Sequence, residues 1–241
     1  MPLSKPYPHI YRHGPDRVTR PYYEARVSNE GINCFAAYEI LKKDLRLVFE
    51  YIEPKVQNQD TFSHRTFELL IRACIEVESL CKLVFTMNRV SLPRGANMIR
   101  YSDLNGVMKL SEYEILCYGI NYPAFLPFES FSDPNREERS PDWYRDYNAV
   151  KHNRTENFGQ ASLNNVIHAV GGVYALLVAQ FGLGFDHTLR PLYGGGMLDV
   201  PSIFRVRRLP EWSEDETYDY NWDVLKSQLD PYDYHLLPEI P

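Results

Sequence analysis

The chain has 241 residues, of which 44% are hydrophobic and 24% charged. That balance excludes whole-chain disorder, collagen-like repeats and a coiled-coil rod, and the length supports one sizeable core. The net charge of −6 is uneven, since residues 211–241 hold nine acidic side chains against the single Lys226, while the rest carries 25 basic and 23 acidic groups. A nearly neutral body with an acidic, aromatic tail excludes a strongly basic coat for nucleic acid but not a cleft for a short single strand.

Residues 1–28 are rich in Pro, Tyr and Arg without a hydrophobic period, and read as an arm laid across a surface. Their start lacks the apolar stretch of a signal peptide, which points to the cytoplasm. The spacing of Phe35, Tyr38, Leu41, Leu45, Val48, Phe49 and Ile52 predicts a helix over 29–53, ended by Pro54. After a short polar connection, Phe67, Leu70, Ile71, Cys74, Val77, Leu80, Cys81 and Val84 predict a second helix over 61–88, antiparallel to the first. Opposite this face runs a polar stripe of Arg65, Glu68, Arg72 and Glu76, in which Arg72 and Glu76 are spaced to pair. The stripe is either a solvated face or the lining of a phosphate site. The four cysteines lack C-x-x-C spacing, so no metal site is expected, and Cys74 and Cys81 read as core residues.

Residues 89–139 are punctuated by Pro93, Gly95, Gly106, Pro123, Pro127 and Pro134, with a short strand pair expected near 114–121. Ser140, Pro141 and Asp142 then have the form of a helix start, with Ser140 as cap, and predict a short helix ending near His152. Asn153 with Glu156 resembles a capping box that opens a long apolar helix to about residue 181. The apolar run 169–185 contains Gly171, Gly172 and Gln180, falls short of a membrane span and reads as a buried helix. Gly194, Gly195 and Gly196 lack the Lys-Ser/Thr of a phosphate loop. Residues 202–208 alternate like a strand. The expected fold is mainly α, a bundle of two long antiparallel helices plus a kinked third element, with minor β and an irregular acidic tail. Three segments follow: an arm over 1–28, a helical domain over 29–185 and an extension over 186–241.

The chemistry concentrates in residues 143–154. Arg145 and His152, seven apart on a helix, project from nearly the same side with Asn148 between them, while Lys151 points about 120° away and Arg154 lies in the next turn. If the long helix begins at Asn153, His152 stands at its mouth, where free amides favour an anion. A cation, an amide and an imidazole on one stripe suit a phosphodiester: the histidine moves protons and the arginine neutralises phosphoryl charge. Attack by the substrate's own 2′-hydroxyl needs no metal. The plainer reading is that His152 caps backbone groups.

Three features together resemble the HEPN domain (higher eukaryotes and prokaryotes nucleotide-binding), across residues 30–182. They are Arg145 followed by polar Asp146 and, after six intervening residues, His152; the position of this string ahead of a long apolar helix; and the pair of long helices upstream. The run from Tyr147 and Asn148 through Lys151, His152 and Arg154, with Phe158 and Ala161, is also similar to uncharacterised bacterial HEPN-like proteins. The resemblance implies a HEPN-like helical bundle and a metal-independent, cofactor-free ribonuclease of toxin–antitoxin, phage-defence or RNA-processing type. It implies a homodimer whose Arg and His pairs share a cleft for single-stranded RNA, and an antitoxin or other protein partner; the apolar run 169–185, read as buried, implies no membrane. Arg145 would hold the phosphate and His152 would assist proton transfer. Asp146 matches the polar position and Asn148 is an auxiliary contact, with Lys151, Arg154, Arg72 and Glu76 as further auxiliary or RNA-binding residues. Tyr144 and Tyr147 either stack on bases or pack in the core. The alternative within the same resemblance is a non-catalytic scaffold that binds a protein or nucleotide. In the tail, Glu211, Glu214, Asp215, Glu216, Asp219 and Asp223 interleave with Trp212, Tyr218, Tyr220 and Trp222. This segment either imitates single-stranded nucleic acid or straps its rings onto the body.

Overall fold

Apolar side chains spaced three and four apart become two long helices, α1 (Asn29–Tyr51) and α2 (His64–Met87). The computed structural model describes residues 7–12, 29–117, 121–183, 185 and 202–218. Phe35, Tyr38, Leu41, Leu45 and Val48 of α1 are buried against Leu69, Leu70, Cys74, Val77, Leu80, Cys81 and Val84 of α2. Asp44 pairs with Arg72, and the two lie at similar distances from the connection, which makes the helices antiparallel as expected. The second helix begins at His64, not 61. Ser63 Oγ accepts from the Thr66 amide at 3.1 Å and the Ser63 amide donates to Thr66 Oγ1 at 2.7 Å, closing a capping box. All four cysteines are free thiols, and burial pushes those of Cys74 and Cys81 well up.

Residues 89–139 form single turns: α3 (Met98–Tyr101), α4 (Asn105–Met108) and intervening 3₁₀ segments. The strand expected near 114–121 is β1 (Glu114–Cys117), but its ladder partner comes from far along the chain. It pairs antiparallel with β2 (Phe204–Arg208), setting Ile115 opposite Val206 and Cys117 opposite Phe204. Phe125 makes a separate bridge to Ile115 through two backbone hydrogen bonds of 2.8 and 2.9 Å. The extension is therefore joined to the helical body through β2.

Three helices complete the described body: α5 (Asp142–His152), one-turn α6 (Arg154–Asn157) and α7 (Leu163–Phe181). Along α7 every residue is buried except Asn164 and His168, and it packs on α1, α2 and α5. The apolar run does not fall short of a span as expected, since α7, with 19 residues, is by length and hydropathy apolar enough to cross a membrane; the helix is nonetheless buried as the core of the bundle.

Residues 7–12 are tucked in rather than laid on the surface. His9, Ile10 and Tyr11 are buried, the Tyr11 amide donates to the Ala179 carbonyl at 2.8 Å, and His9 Nδ1 meets Gln180 Oε1 at 2.9 Å. The last described residues close over this segment. Tyr218 Oη donates to the Ile10 carbonyl at 2.9 Å, and Arg12 Nη1 donates to the Glu216 carbonyl at 2.8 Å. Glu211 through Tyr218 thus strap onto the body; Asp219, Tyr220, Trp222, Asp223 and the glycines 194–196 lie outside the described residues.

Candidate functional site

Helix α5 divides into a core face and a solvent face. Trp143, Tyr144, Tyr147 and Val150 are buried. The Trp143 indole donates to the Pro127 carbonyl at 2.8 Å, and Tyr144 Oη donates to Glu78 Oε1 at 2.9 Å. Tyr144 and Tyr147 therefore pack inside the protein and present no ring to a base, and burial beside Glu78 raises the Tyr144 phenol far above its ordinary range. On the other face Arg145, Lys151 and His152 are exposed and Asn148 is half-exposed. The predicted stripe of cation, amide and imidazole is thus open to solvent.

Its restraints differ from residue to residue. Ser140 does not cap the helix with its side chain. Instead its carbonyl accepts from Arg145 Nη1 at 2.6 Å, and the other guanidinium nitrogen pairs with Asp142. His152 has no hydrogen-bond partner among the described residues. Asp146 turns inward, where its carboxylate accepts from Asn165 Nδ2 of α7 at 2.7 Å.

The long helix does not start where its apolar sequence suggested. Asn153 does cap a helix, accepting from the Glu156 amide, but that helix is the single turn α6. A 3₁₀ turn over Phe158–Gln160 follows, and α7 begins after Ser162. At its true mouth the amides of Leu163, Asn164 and Asn165 are taken by the Thr61 carbonyl, the Gln59 carbonyl and Ser162 Oγ. No anion site remains there. His152 lies instead in the last turn of α5, whose free backbone groups are carbonyls.

A second part of the predicted set meets across an open groove of about 680 Å³, lined by Asp44, Arg65, Phe67, Glu68, Ile71, Arg72 and Lys151. Arg72 pairs with Asp44 of α1, not with Glu76, and Arg65 pairs with Glu68 at 3.1 Å. Glu76 stands outside the lining, and burial raises its carboxyl. Lys151 Nζ sits 5.2 Å above the Tyr147 ring and Arg154 Cζ 5.6 Å above the Phe67 ring, neither with a carboxylate partner among the described residues. The structure therefore gathers Arg72 and Lys151 at the groove, with Arg154 beside it. Arg145, Asn148 and His152 stand apart from that lining on the outer face of α5.

Sequence reasoning missed two features. Phe62 is half-exposed and meets Phe158 edge-on at 5.4 Å, while Phe67 meets the same ring at 6.1 Å. Phe62 and Phe67 flank Ser63 at the positions of a hydrophobic staple, a signal present in the sequence. The other is His168 on α7, which stacks on Phe125 with ring centroids 4.3 Å apart at 11°. Burial lowers its pKa to about 4, against a smaller opposing pull from Asp142. Only its fit beside Phe125 reveals it, and that contact joins distant parts of the chain.

Among the described residues no three His, Cys, Asp or Glu side chains cluster to hold a metal ion. No protein-family model, curated protein or solved structure matches the chain. The fold and site define a mainly helical protein with a solvent-open Arg/His stripe beside a basic, aromatic-edged groove.

Proposed function

We propose that the chain is a HEPN-like ribonuclease of the cytoplasm that cuts single-stranded RNA without a metal. The observation that carries this reading is the exposure of Arg145 and His152 on one solvent face of α5, with the aromatic residues of that helix buried on the other. A structural histidine at a helix end bonds backbone or a carboxylate; His152 bonds neither among the described residues. In the reaction the 2′-oxygen attacks phosphorus as its proton passes to the His152 imidazole, and Arg145 neutralises the phosphoryl oxygens. The bond to the 5′-oxygen breaks, and that oxygen leaves with a proton from the imidazole of a second copy. The products are a 2′,3′-cyclic phosphate and a 5′-hydroxyl.

This chemistry uses a dimer, and two exposed isoleucines support a contact between copies. Ile40 on α1 and Ile75 on α2 are each about half-exposed, both one turn further from the α1–α2 connection than the Asp44–Arg72 pair, and supply exposed apolar side chains for that contact. An antitoxin or other protein partner belongs to the same reading.

One observation favours the scaffold instead. Arg145 is engaged by Asp142 and the Ser140 carbonyl, so a phosphate must displace those contacts. The test is cleavage of labelled single-stranded RNA in excess EDTA by the full chain and by the Arg145→Ala and His152→Ala proteins. Cleavage with cyclic phosphate ends that is lost in both variants supports the ribonuclease. No cleavage by the folded full chain assigns it to the scaffold class.

A further inference from the structure

The surface bordered by Lys151 and Arg154, which flank His152 in the sequence, carries rings and cations that the cleavage chemistry does not use. Phe62 is 49% exposed, although its backbone is pinned: it bridges Ser162, and the preceding Thr61 carbonyl accepts from the Leu163 amide at 2.8 Å. A large apolar ring held out to water on a fixed backbone gives up side-chain freedom but little backbone freedom when something stacks on it. Around it stand Phe158, with the exposed His64 ring 4.9 Å from it, and the half-buried Phe67. Arg65 and Arg72 border this cluster from α2, Lys151 from α5 and Arg154 from α6.

The charges are available to an anion. Arg65 and its partner Glu68 are 83% and 57% exposed, and Arg72 and Asp44 are 44% and 33% exposed. Ion pairs this open to water hold weakly and exchange readily for phosphate. Lys151 and Arg154 have no carboxylate to exchange among the described residues. Rings that accept any base, fringed by cations that track a backbone, are the chemistry of single-strand binding. A protein partner would match the rings but would not account for four cations along one edge.

We infer that Phe62, His64, Phe67 and Phe158, with Arg65, Arg72, Lys151 and Arg154, form a platform that binds a single-stranded RNA segment and leads it to His152. The inference rests on the proposed ribonuclease reading for its substrate, but binding is measured apart from cleavage. The bases stack on Phe62 and Phe158, and the phosphates lie along the groove toward the end of α5.

The test is fluorescence anisotropy of the full chain with a short, labelled, single-stranded 2′-O-methyl RNA, which has no 2′-hydroxyl to attack. Phe62→Ala, which removes one stacking surface, weakens binding about tenfold. Arg154→Gln weakens it and lowers the magnitude of the salt slope by about one, and Arg65→Gln, at an exposed position, checks the same edge without risk to folding. A duplex of the same sequence binds more weakly than the strand. Wild-type affinity in all three variants overturns the platform, as does the absence of binding by the wild type. A Phe62→Ala protein that loses dimer mass, with no RNA bound by the wild type, gives the surface to a second copy and also overturns it. Binding of the probe without cleavage of unmodified RNA leaves the platform standing and removes the ribonuclease. Cleavage that is indifferent to all three variants does the reverse.

Discussion

The Asn165 side-chain amide donates to the Asp146 carboxylate across 2.7 Å, and the same nitrogen donates to the Gln160 carbonyl at 2.8 Å. One buried amide therefore ties α5, the turn before α7 and α7 itself, and it fixes the pose of the helix face that carries Arg145 and His152. Asp146→Ala removes the charged acceptor and is expected to cost about 1–3 kcal/mol. Asp146→Asn keeps an acceptor oxygen and should retain most of that stability. Urea unfolding of the two proteins checks the ranking, and equal loss in both would place the effect in charge and not in the hydrogen bond.

His168 predicts an acid-sensitive fold. Its imidazole takes a proton near 6.5 in the unfolded chain and only near 4 when stacked on Phe125, because burial penalises the charged form. The contribution is present above pH 6.5 and is lost progressively as the pH falls toward 4. Asp142, the acidic group that acts on the ring, opposes the loss without cancelling it. At about 1.4 kcal/mol per tenfold change in proton affinity, the total is roughly 3 kcal/mol. Chemical denaturation between pH 7 and pH 4 should show this slope, and His168→Gln should flatten it.

Helix faces were legible wherever one stretch of chain sets them. The periods of α1 and α2, the antiparallel pairing and the buried apolar helix all follow from local spacing of side chains. The start of α7 was not legible, because Asn153 and Ser162 are both good caps, and only tertiary partners decide which one opens the long helix. Those partners are the Gln59 and Thr61 carbonyls, about a hundred residues upstream. The pairing of Arg72 with Asp44 instead of Glu76 has the same origin, since the carboxylate within ion-pair reach of the guanidinium comes from α1 and not from its own helix. For the site, the exposed stripe of Arg145, Asn148 and His152 was readable from a seven-residue spacing. Phe62 and Phe67 occupy the local staple positions around Ser63, but their meeting with Phe158 and the His168–Phe125 stack join segments about forty or more residues apart, which no local pattern specifies.

Gly171 gives a prediction in which two effects oppose. Alanine gains up to about 1 kcal/mol of helix propensity over glycine. A Cβ at this position, however, would lie 2.6 Å from Cζ of Phe125. That ring cannot swing away, because His168 stacks on its face and Phe204 meets it edge-on at 6.4 Å. Overpacking of about 1–3 kcal/mol wins. Gly171→Ala is expected to lower the melting temperature, and Gly172→Ala, where the nearest ring atom is 3.2 Å away, to lower it less.

Trp212 is the clasp of the C-terminal strap. Its ring lies between Arg12, 4.7 Å away, and Lys109, 4.5 Å away, and Lys109 also binds Glu216 at 2.9 Å. The Ser213 amide and the Lys109 ammonium hold the Glu216 carboxyl down at about 2, a contribution present at neutral pH and lost as the pH falls from about 4.5 toward 2. Trp212→Ala removes two cation–ring contacts, each about 0.5–1 kcal/mol. It should expose residues 211–218 to proteolysis while leaving the helices intact. Trp212→Phe keeps a ring and discards an indole N–H that has no acceptor among the described residues, so it should protect nearly as well as the wild type.

Asp142 separates the two readings of α5 by its hold on Arg145. The pair is open to water, with the Asp142 side chain 84% and the Arg145 side chain 51% exposed. Such a pair contributes about 0–1 kcal/mol, and an acidic side chain in the first turn of a helix adds about 0.3–1 kcal/mol. Asp142→Asn should therefore fold and lose little stability. If Arg145 serves a phosphate, freeing the guanidinium from its competing carboxylate should raise cleavage of single-stranded RNA several-fold, whereas Arg145→Ala abolishes it. Initial rates in EDTA for the three proteins decide the matter. A rate that does not change in Asp142→Asn, beside a small loss of stability, would make the pair a brace for the helix end and leave Arg145 without a phosphate to serve.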